Sequence, residues 1–189
     1  VDEIYQGINL GNSICESALA VDEQIYILNS FSKYYSMTGW RLGWVVVPCE
    51  TADYFTRLAQ NIFLAPNTVS QYAALEAFND RCISIHENRV QIISQRVEAL
   101  SKGLSDLGFT IPVMPEGGFY VFVDISHTGL DSHDFCLKML LEYGVAITPA
   151  HDFSEYYGKD YVRFSCSTDL DSVYFGLDRL RSALVDWGI

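Results

Sequence analysis

Between Glu23 and Glu50 the chain carries only two charged side chains, Lys33 and Arg41, both within SFSKYYSMTGWRLG and both cations in a protein of net charge −12. A lysine in such an apolar stretch has two readings. It can lie along the surface with its stem on apolar neighbours and its head in water or in an ion pair. Alternatively it is a nucleophile: desolvation and a nearby cation both lower an ammonium pKa, and the free amine can then attack a carbonyl to form a Schiff base. Arg41, eight residues further on, is the candidate neighbouring cation.

The pattern around this pair predicts the elements that must position it. Ile25–Leu28 and Gly43–Val47 are short apolar runs, the second stopped by Pro48, and they read as buried strands on either side of the lysine segment. Thr51 is a candidate N-cap for a helix carrying Phe55, Leu58 and Ile62 and closed by Pro66, with a second helix over 68–78. Val90, Ile93, Val97, Leu100, Leu104 and Leu107 recur at steps of three and four before Gly108, which predicts one long helix, long enough to bridge two domains. Beyond it, GGFYVFVDI alternates as a strand, Ser132–Tyr143 is helical and ends at Gly144, and VAITPA and YVRFSCS read as strands. A final helix presents Leu170, Val173, Leu177, Leu180 and Leu184 on one face, capped by Thr168 or Asp169. Two lobes of this kind imply a cleft between them.

Composition narrows the function classes. With 24 acidic against 12 basic side chains there is no broad positive field, so neither nucleic acid nor an anionic membrane surface is expected as a partner. No uncharged run approaches a spanning helix. The five cysteines lie at least thirty positions apart, which excludes CxxC spacing and predicts reduced, buried thiols in a cytoplasmic protein. His86, His127, His133 and His151 lack metal-ligand spacing. The APNTVSQYAALEAF segment reads as helix packing. The chain starts at Val1, with no basic and apolar leader pattern, and is expected to be a processed or truncated product.

SFSK followed by GWRLG resembles the cofactor-lysine signature of the class I and II aminotransferases, the fold-type I pyridoxal phosphate enzymes. The resemblance implies that Lys33 holds pyridoxal 5'-phosphate covalently, while Ser30 and Arg41 grip its phosphate. The residue types suit those roles, since a guanidinium fork donates two parallel hydrogen bonds to a phosphate and a hydroxyl adds a third. Displaced by a substrate amine, Lys33 becomes a base beside the substrate Cα. VDEIYQG is similar to the family's DExY segment, and Asp2 and Tyr5 stand 31 and 28 residues before Lys33. By themselves they read as strand-end and loop residues. The resemblance gives Asp2 to the pyridine nitrogen, which keeps the ring an electron sink, and Tyr5 to the phenolic oxygen; Glu3 points the other way on a strand. Arg163, in the middle of YVRFSCS, reads equally well as half of a buried ion pair or, by resemblance, as the clamp for a substrate α-carboxylate.

The resemblance implies an α/β fold comprising the C-terminal part of the fold-type I architecture. Residues 1–82 are then the remnant of the large mixed-sheet cofactor domain, 83–108 an interdomain helix and 109–189 the small α/β domain. The implied reaction transfers an amino group between an α-amino acid and a 2-oxo acid by a ping-pong mechanism, in a full-length homodimer. The family's phosphate-binding turn, its ring-stacking aromatic, its NPxNPTG segment and its dimer-crossing tyrosine have no counterpart here. This chain alone is therefore expected to be an incomplete, inactive piece with an open parallel sheet edge. Two other readings share these anchors: a pyridoxal phosphate-dependent lyase of the same fold, and the aminotransferase-like sensor domain of a transcription regulator.

Overall fold

The computed structural model of the chain describes residues 1–11 and 14–189. The chain divides into two units, Val1–Gln91 and Ile92–Ile189. The long helix predicted from the apolar repeat runs through the division. It spans Asp80–Asp106 (α3), with Val90, Val97, Leu100 and Leu104 buried along it.

In the first unit, β1 (Ile27–Ser30) and β2 (Gly43–Val46) pair antiparallel, with Ser30 opposite Gly43 and Ile27 opposite Val46. A glycine is needed at 43 because a Cβ there would come within 2.8 Å of the Asn29 carbonyl oxygen. The N-terminus adds a single parallel bridge, Asp2 to Leu28, held by Glu3 N–H donating to the Leu28 carbonyl at 2.8 Å. Helices α1 (Ala52–Ile62) and α2 (Thr68–Glu76) follow. Thr51 precedes α1 as predicted, but its hydroxyl donates to the Pro48 carbonyl instead of capping the helix.

The small residues of α2 face inward and its large ones do not. Ser70, Ala74 and Ala77 are buried, whereas Val69, Tyr72 and Leu75 are about two-thirds exposed. An apolar cluster forms instead on the lysine segment. Phe31 and Met37 pack with Ala74 and Ala77, walled by Tyr35, Leu42 and Trp44. Phe31 meets Tyr35, Trp44 and Phe78 at ring centroid distances of 4.9, 5.1 and 5.8 Å. Ring pairs of this kind add about 0.5–1.5 kcal/mol each beyond area burial.

In the second unit, β3 (Tyr120–Asp124), β4 (Thr148–Pro149) and β5 (Tyr161–Ser165) form an antiparallel sheet in the order β3-β5-β4. The VAITPA strand is thus only two residues long, pinned at the edge by Pro149, which lacks the N–H that a longer ladder needs. Helices α4 (Ser132–Tyr143) and α5 (Leu170–Trp187) complete the unit, with Asp131 and Asp169 as side-chain N-caps. Alternation assigns the sheet faces. Val121, Val123, Val162 and Phe164 turn to the core with Ile125, Phe135, Met139 and Leu180, while Tyr120, Phe122 and Arg163 share the opposite face.

All five cysteines are free, but only Cys136 and Cys166 are buried; Cys15 and Cys49 are exposed and Cys82 is half-buried. The expectation of five buried thiols is corrected for three of them. Burial pushes the Cys166 thiol up to about 11 and that of Cys136 up to about 12, so both behave as apolar packing atoms. Among the described residues no helix is long and apolar enough to cross a membrane, and no cluster of acidic, histidine and cysteine side chains could hold a metal ion.

Candidate functional site

The loop from Ser30 to Gly43 is closed at its neck by the β1–β2 pairing and braced inside by its own polar groups. Phe31 N–H donates to the Leu42 carbonyl at 3.1 Å, and Met37 N–H to the Phe31 carbonyl at 2.9 Å. The Thr38 hydroxyl donates to the Ser32 carbonyl at 2.7 Å. Ser36 N–H closes a turn onto the Lys33 carbonyl at 2.9 Å, and Ser36 takes a left-handed backbone, φ 55°, to do so. A non-glycine residue in that region costs roughly 1–2 kcal/mol, so packing elsewhere in the loop must enforce it.

Lys33 occupies the start of this turn. Its Nζ lies 5.3 Å from the centroid of the Tyr5 ring, so the fold brings together residues 28 apart in sequence. The contact depends on Gly7 and Tyr34. Gly7 has φ +91°, and a Cβ on it would lie 2.7 Å from the Tyr34 ring; the turn after Tyr5 therefore seats directly on the residue next to the lysine. Tyr34 in turn donates its hydroxyl to Glu87 and packs its ring on His86, both on α3. Burial, reinforced by the Glu87 carboxylate, raises the Tyr34 phenol above its ordinary range, and it stays a neutral donor.

The other predicted residues of this unit lie on the same frame. Asp2 sits on the bridge to β1, and its Oδ1 accepts from Ile4 N–H at 3.0 Å. Glu3 turns away, accepting from the Ser17 hydroxyl at 3.0 Å and from Ala18 N–H at 2.8 Å. The Ser30 hydroxyl lies 2.9 Å from Ser32 Oγ and 3.1 Å from the Leu42 carbonyl, and accepts from Ser32 N–H at 3.1 Å. Arg41 adopts a left-handed backbone, φ 52°, and is exposed; one Nη donates to the Thr38 carbonyl at 2.8 Å, which leaves the rest of its fork for another acceptor.

Arg163 belongs to the second unit. It lies in the middle of β5 opposite Phe122 on β3 and Thr148 on β4. Its guanidinium carbon is 4.1 Å from the Tyr120 ring centroid and 4.5 Å from that of Phe153. None of the described ion pairs includes it.

Several supporting residues carry no sequence signal. Ser70, buried on α2, donates to the Trp40 carbonyl at 2.7 Å and so holds the backbone beside Arg41. Gly7, Tyr34, His86 and Glu87 act on the Tyr5–Lys33 contact through tertiary packing, and nothing in their local pattern distinguishes them from ordinary turn, strand or helix residues.

The first unit thus presents a strand-closed loop with Lys33 beside the Tyr5 ring and with the Ser30 hydroxyl and Arg41 guanidinium near its neck, and the second unit presents a strand arginine, Arg163. Similarity to known proteins is specific. Residues 1–180 match the profile of the aminotransferase class I and II family. The chain is 36% identical to the (5-formylfuran-3-yl)methyl phosphate transaminase of Methanocaldococcus jannaschii, with 97% of this chain and 49% of that protein covered. It is 34% identical to the valine–pyruvate aminotransferase of Mycobacterium tuberculosis, with 97% of this chain and 47% of that protein covered. A crystal structure of an aminotransferase from Mycobacterium tuberculosis superposes with a TM-score of 0.93 at 34% identity, covering 98% of this chain and 48% of that one. The chain belongs to the class I and II aminotransferase family, and its α/β architecture is part of the fold-type I aminotransferase fold. It spans about half the length of the relatives it matches.

Proposed function

We propose that this chain carries the lysine half of a pyridoxal 5'-phosphate site, and that the full-length protein transfers an amino group between an α-amino acid and a 2-oxo acid by a ping-pong mechanism. The observation that carries the reading is the approach of Lys33 Nζ to the Tyr5 ring, 5.3 Å, across 28 residues of sequence. The donor set fits the cofactor: an amine for its aldehyde, a phenol for its ring oxygen, a carboxylate for its nitrogen, and a hydroxyl with a guanidinium for its phosphate. When bound, the cofactor supplies an electron sink for the substrate Cα.

The chain's own residues do the rest. Lys33 would tether the cofactor and, once displaced by the substrate amine, would take the Cα proton on Nζ and pass it to the cofactor's former aldehyde carbon within the same half-reaction, the reverse transfer serving the second. Asp2 keeps its unengaged oxygen for a protonated ring nitrogen. Ser30 and Arg41 anchor the phosphate, with Arg41 offering the N–H groups not spent on Thr38. Arg163 orients the substrate by its α-carboxylate. Residues 1–82 then serve as the cofactor-bearing part, 83–108 as the connecting helix and 109–189 as the substrate-carboxylate part. The full-length protein would act as a cytoplasmic homodimer, and the isolated chain, with about half of the relatives' length, would bind cofactor weakly and turn over little. Borohydride reduction of the full-length protein with its cofactor, followed by peptide mass mapping, is expected to leave a pyridoxyl adduct on Lys33. The near-visible absorbance of that linkage is expected to vanish in Lys33→Ala. An adduct on another lysine, or an unchanged band in the variant, would sink the assignment.

A further inference from the structure

The surroundings of Arg163 carry more than the presence of a cation. Tyr120 and Phe153 flank its guanidinium at 4.1 and 4.5 Å, and its Nε is buried with no hydrogen-bond partner among the described residues. A guanidinium stacked on ring faces has lost hydration there, and its N–H edge is the approach that remains. Phe153 is held for this role. Its N–H donates to the Ala150 carbonyl at 2.9 Å, closing the short turn Ala150–Asp152. That turn is moored to the start of α4 by His151 Nε2 facing Asp131 Oδ2 at 3.0 Å. Gly158 packs so closely beneath it that a Cβ would lie 2.8 Å from His151 Cα, and the buried Ser132 hydroxyl donates to the Gly158 carbonyl at 2.6 Å.

We infer that Phe153 and Tyr120 are positioning and specificity residues that turn Arg163 into a slot for planar carboxylates, selective against tetrahedral anions. The inference rests on the reading of Arg163 as the carboxylate clamp and deepens it. A carboxylate lies in the guanidinium plane and accepts two parallel N–H bonds. A phosphonate or sulfonate must place at least one oxygen out of that plane, against a ring face. The face of an aromatic ring carries the negative part of its quadrupole, so that oxygen is both desolvated and repelled. The selectivity therefore comes from the rings, and the affinity from the arginine.

The test uses the full-length protein and two probes of one scaffold, pyruvate and acetylphosphonate, with dissociation constants read by ligand-observed NMR. Wild-type protein is expected to bind pyruvate roughly tenfold or more tightly than acetylphosphonate. Phe153→Leu should narrow the ratio to within about threefold, and Phe153→Tyr, which keeps the ring, should restore it. Phe153 is half exposed, so neither change empties the core. Arg163→Met should abolish binding of both probes. Loss of binding in Arg163→Met with an unaltered ratio in Phe153→Leu would overturn the slot and leave the clamp standing. Pyruvate binding that survives Arg163→Met would overturn the clamp itself, and wild-type protein that binds both probes equally, or neither, would overturn the slot.

Discussion

At the scale of single residues, the supports of the lysine loop include ionisable side chains whose charged forms burial disfavours, Tyr34 and His86. His86 illustrates the cost of this. It is 5% exposed, packed against the rings of Tyr34 and Tyr35, with Arg89 Nη1 3.5 Å from its Nδ1. Burial first, and Arg89 second, lower its pKa below the ordinary histidine value. Above about pH 6.5 both folded and unfolded chains hold it neutral; as pH falls below that, the unfolded chain takes the proton more readily, and stability is lost as pH drops through the folded-state value. Thermal melts between pH 7.5 and 5.5 are therefore expected to show a decline in Tm that is smaller in His86→Phe. An equal decline in both would assign the pH dependence to other groups. Tyr34 makes the complementary case. Its neutral hydroxyl bonded to Glu87 should contribute about 1 kcal/mol, so Tyr34→Phe is expected to lower the unfolding free energy by that order in a denaturant titration.

At the scale of elements, the lysine loop is positioned from four sides: by the β1–β2 neck, by α2 through Ser70, by α3 through Glu87 and His86, and by the N-terminal turn through Gly7. The last contact is the tightest, and Gly7→Ala is expected to destabilise the chain by about 1–3 kcal/mol, because the new methyl meets the Tyr34 ring and a positive φ together. The same variant should lower the yield of pyridoxyl adduct at Lys33 in the full-length protein, since Tyr5 moves with the turn. A wild-type yield with lowered stability would separate the fold of the turn from the site. Ser70→Ala leaves the Trp40 carbonyl without its donor and is expected to cost about 1–3 kcal/mol, read by the same titration.

At the scale of the whole molecule, the first unit leaves much apolar surface open. α1 has a strong apolar stripe, yet no residue on it is buried: Leu58, Ile62 and Phe63 are 56, 69 and 55% exposed, and Tyr72 and Leu75 on α2 are 70 and 66% exposed. Apolar surface exposed on this scale favours association in water. The isolated 189-residue chain is expected to show concentration-dependent sedimentation, and Leu58→Lys with Ile62→Lys should shift it toward a single small species without changing its helix content. The β1–β2 pair is antiparallel, and among the described residues parallel pairing is confined to the Asp2–Leu28 bridge, so exposed helix faces rather than the anticipated parallel edge are the expected source of association.

What the residues determined without folding were the elements with strong local period and the chemistry of the signature. The 3–4 repeat of α3, the alternation of β3, the Gly144 stop after α4 and the Asp169 cap of α5 are local preferences that tertiary contacts reinforced. Lys33, Arg41, Ser30, Asp2, Tyr5 and Arg163 were legible as candidates because their types and order carry a family pattern. Elements whose fate depends on neighbours were not legible: VAITPA shrank to two paired residues, and α2 turned its alanines and serine inward because Phe31 and Trp40 reach it from the lysine loop. Likewise, only the folded chain sets Gly7 against Tyr34, and Tyr120 and Phe153 against a strand arginine. Local pattern encodes backbone preference and residue chemistry, whereas which side chain flanks which is decided by sheet register and packing, and these are contacts between positions far apart in sequence.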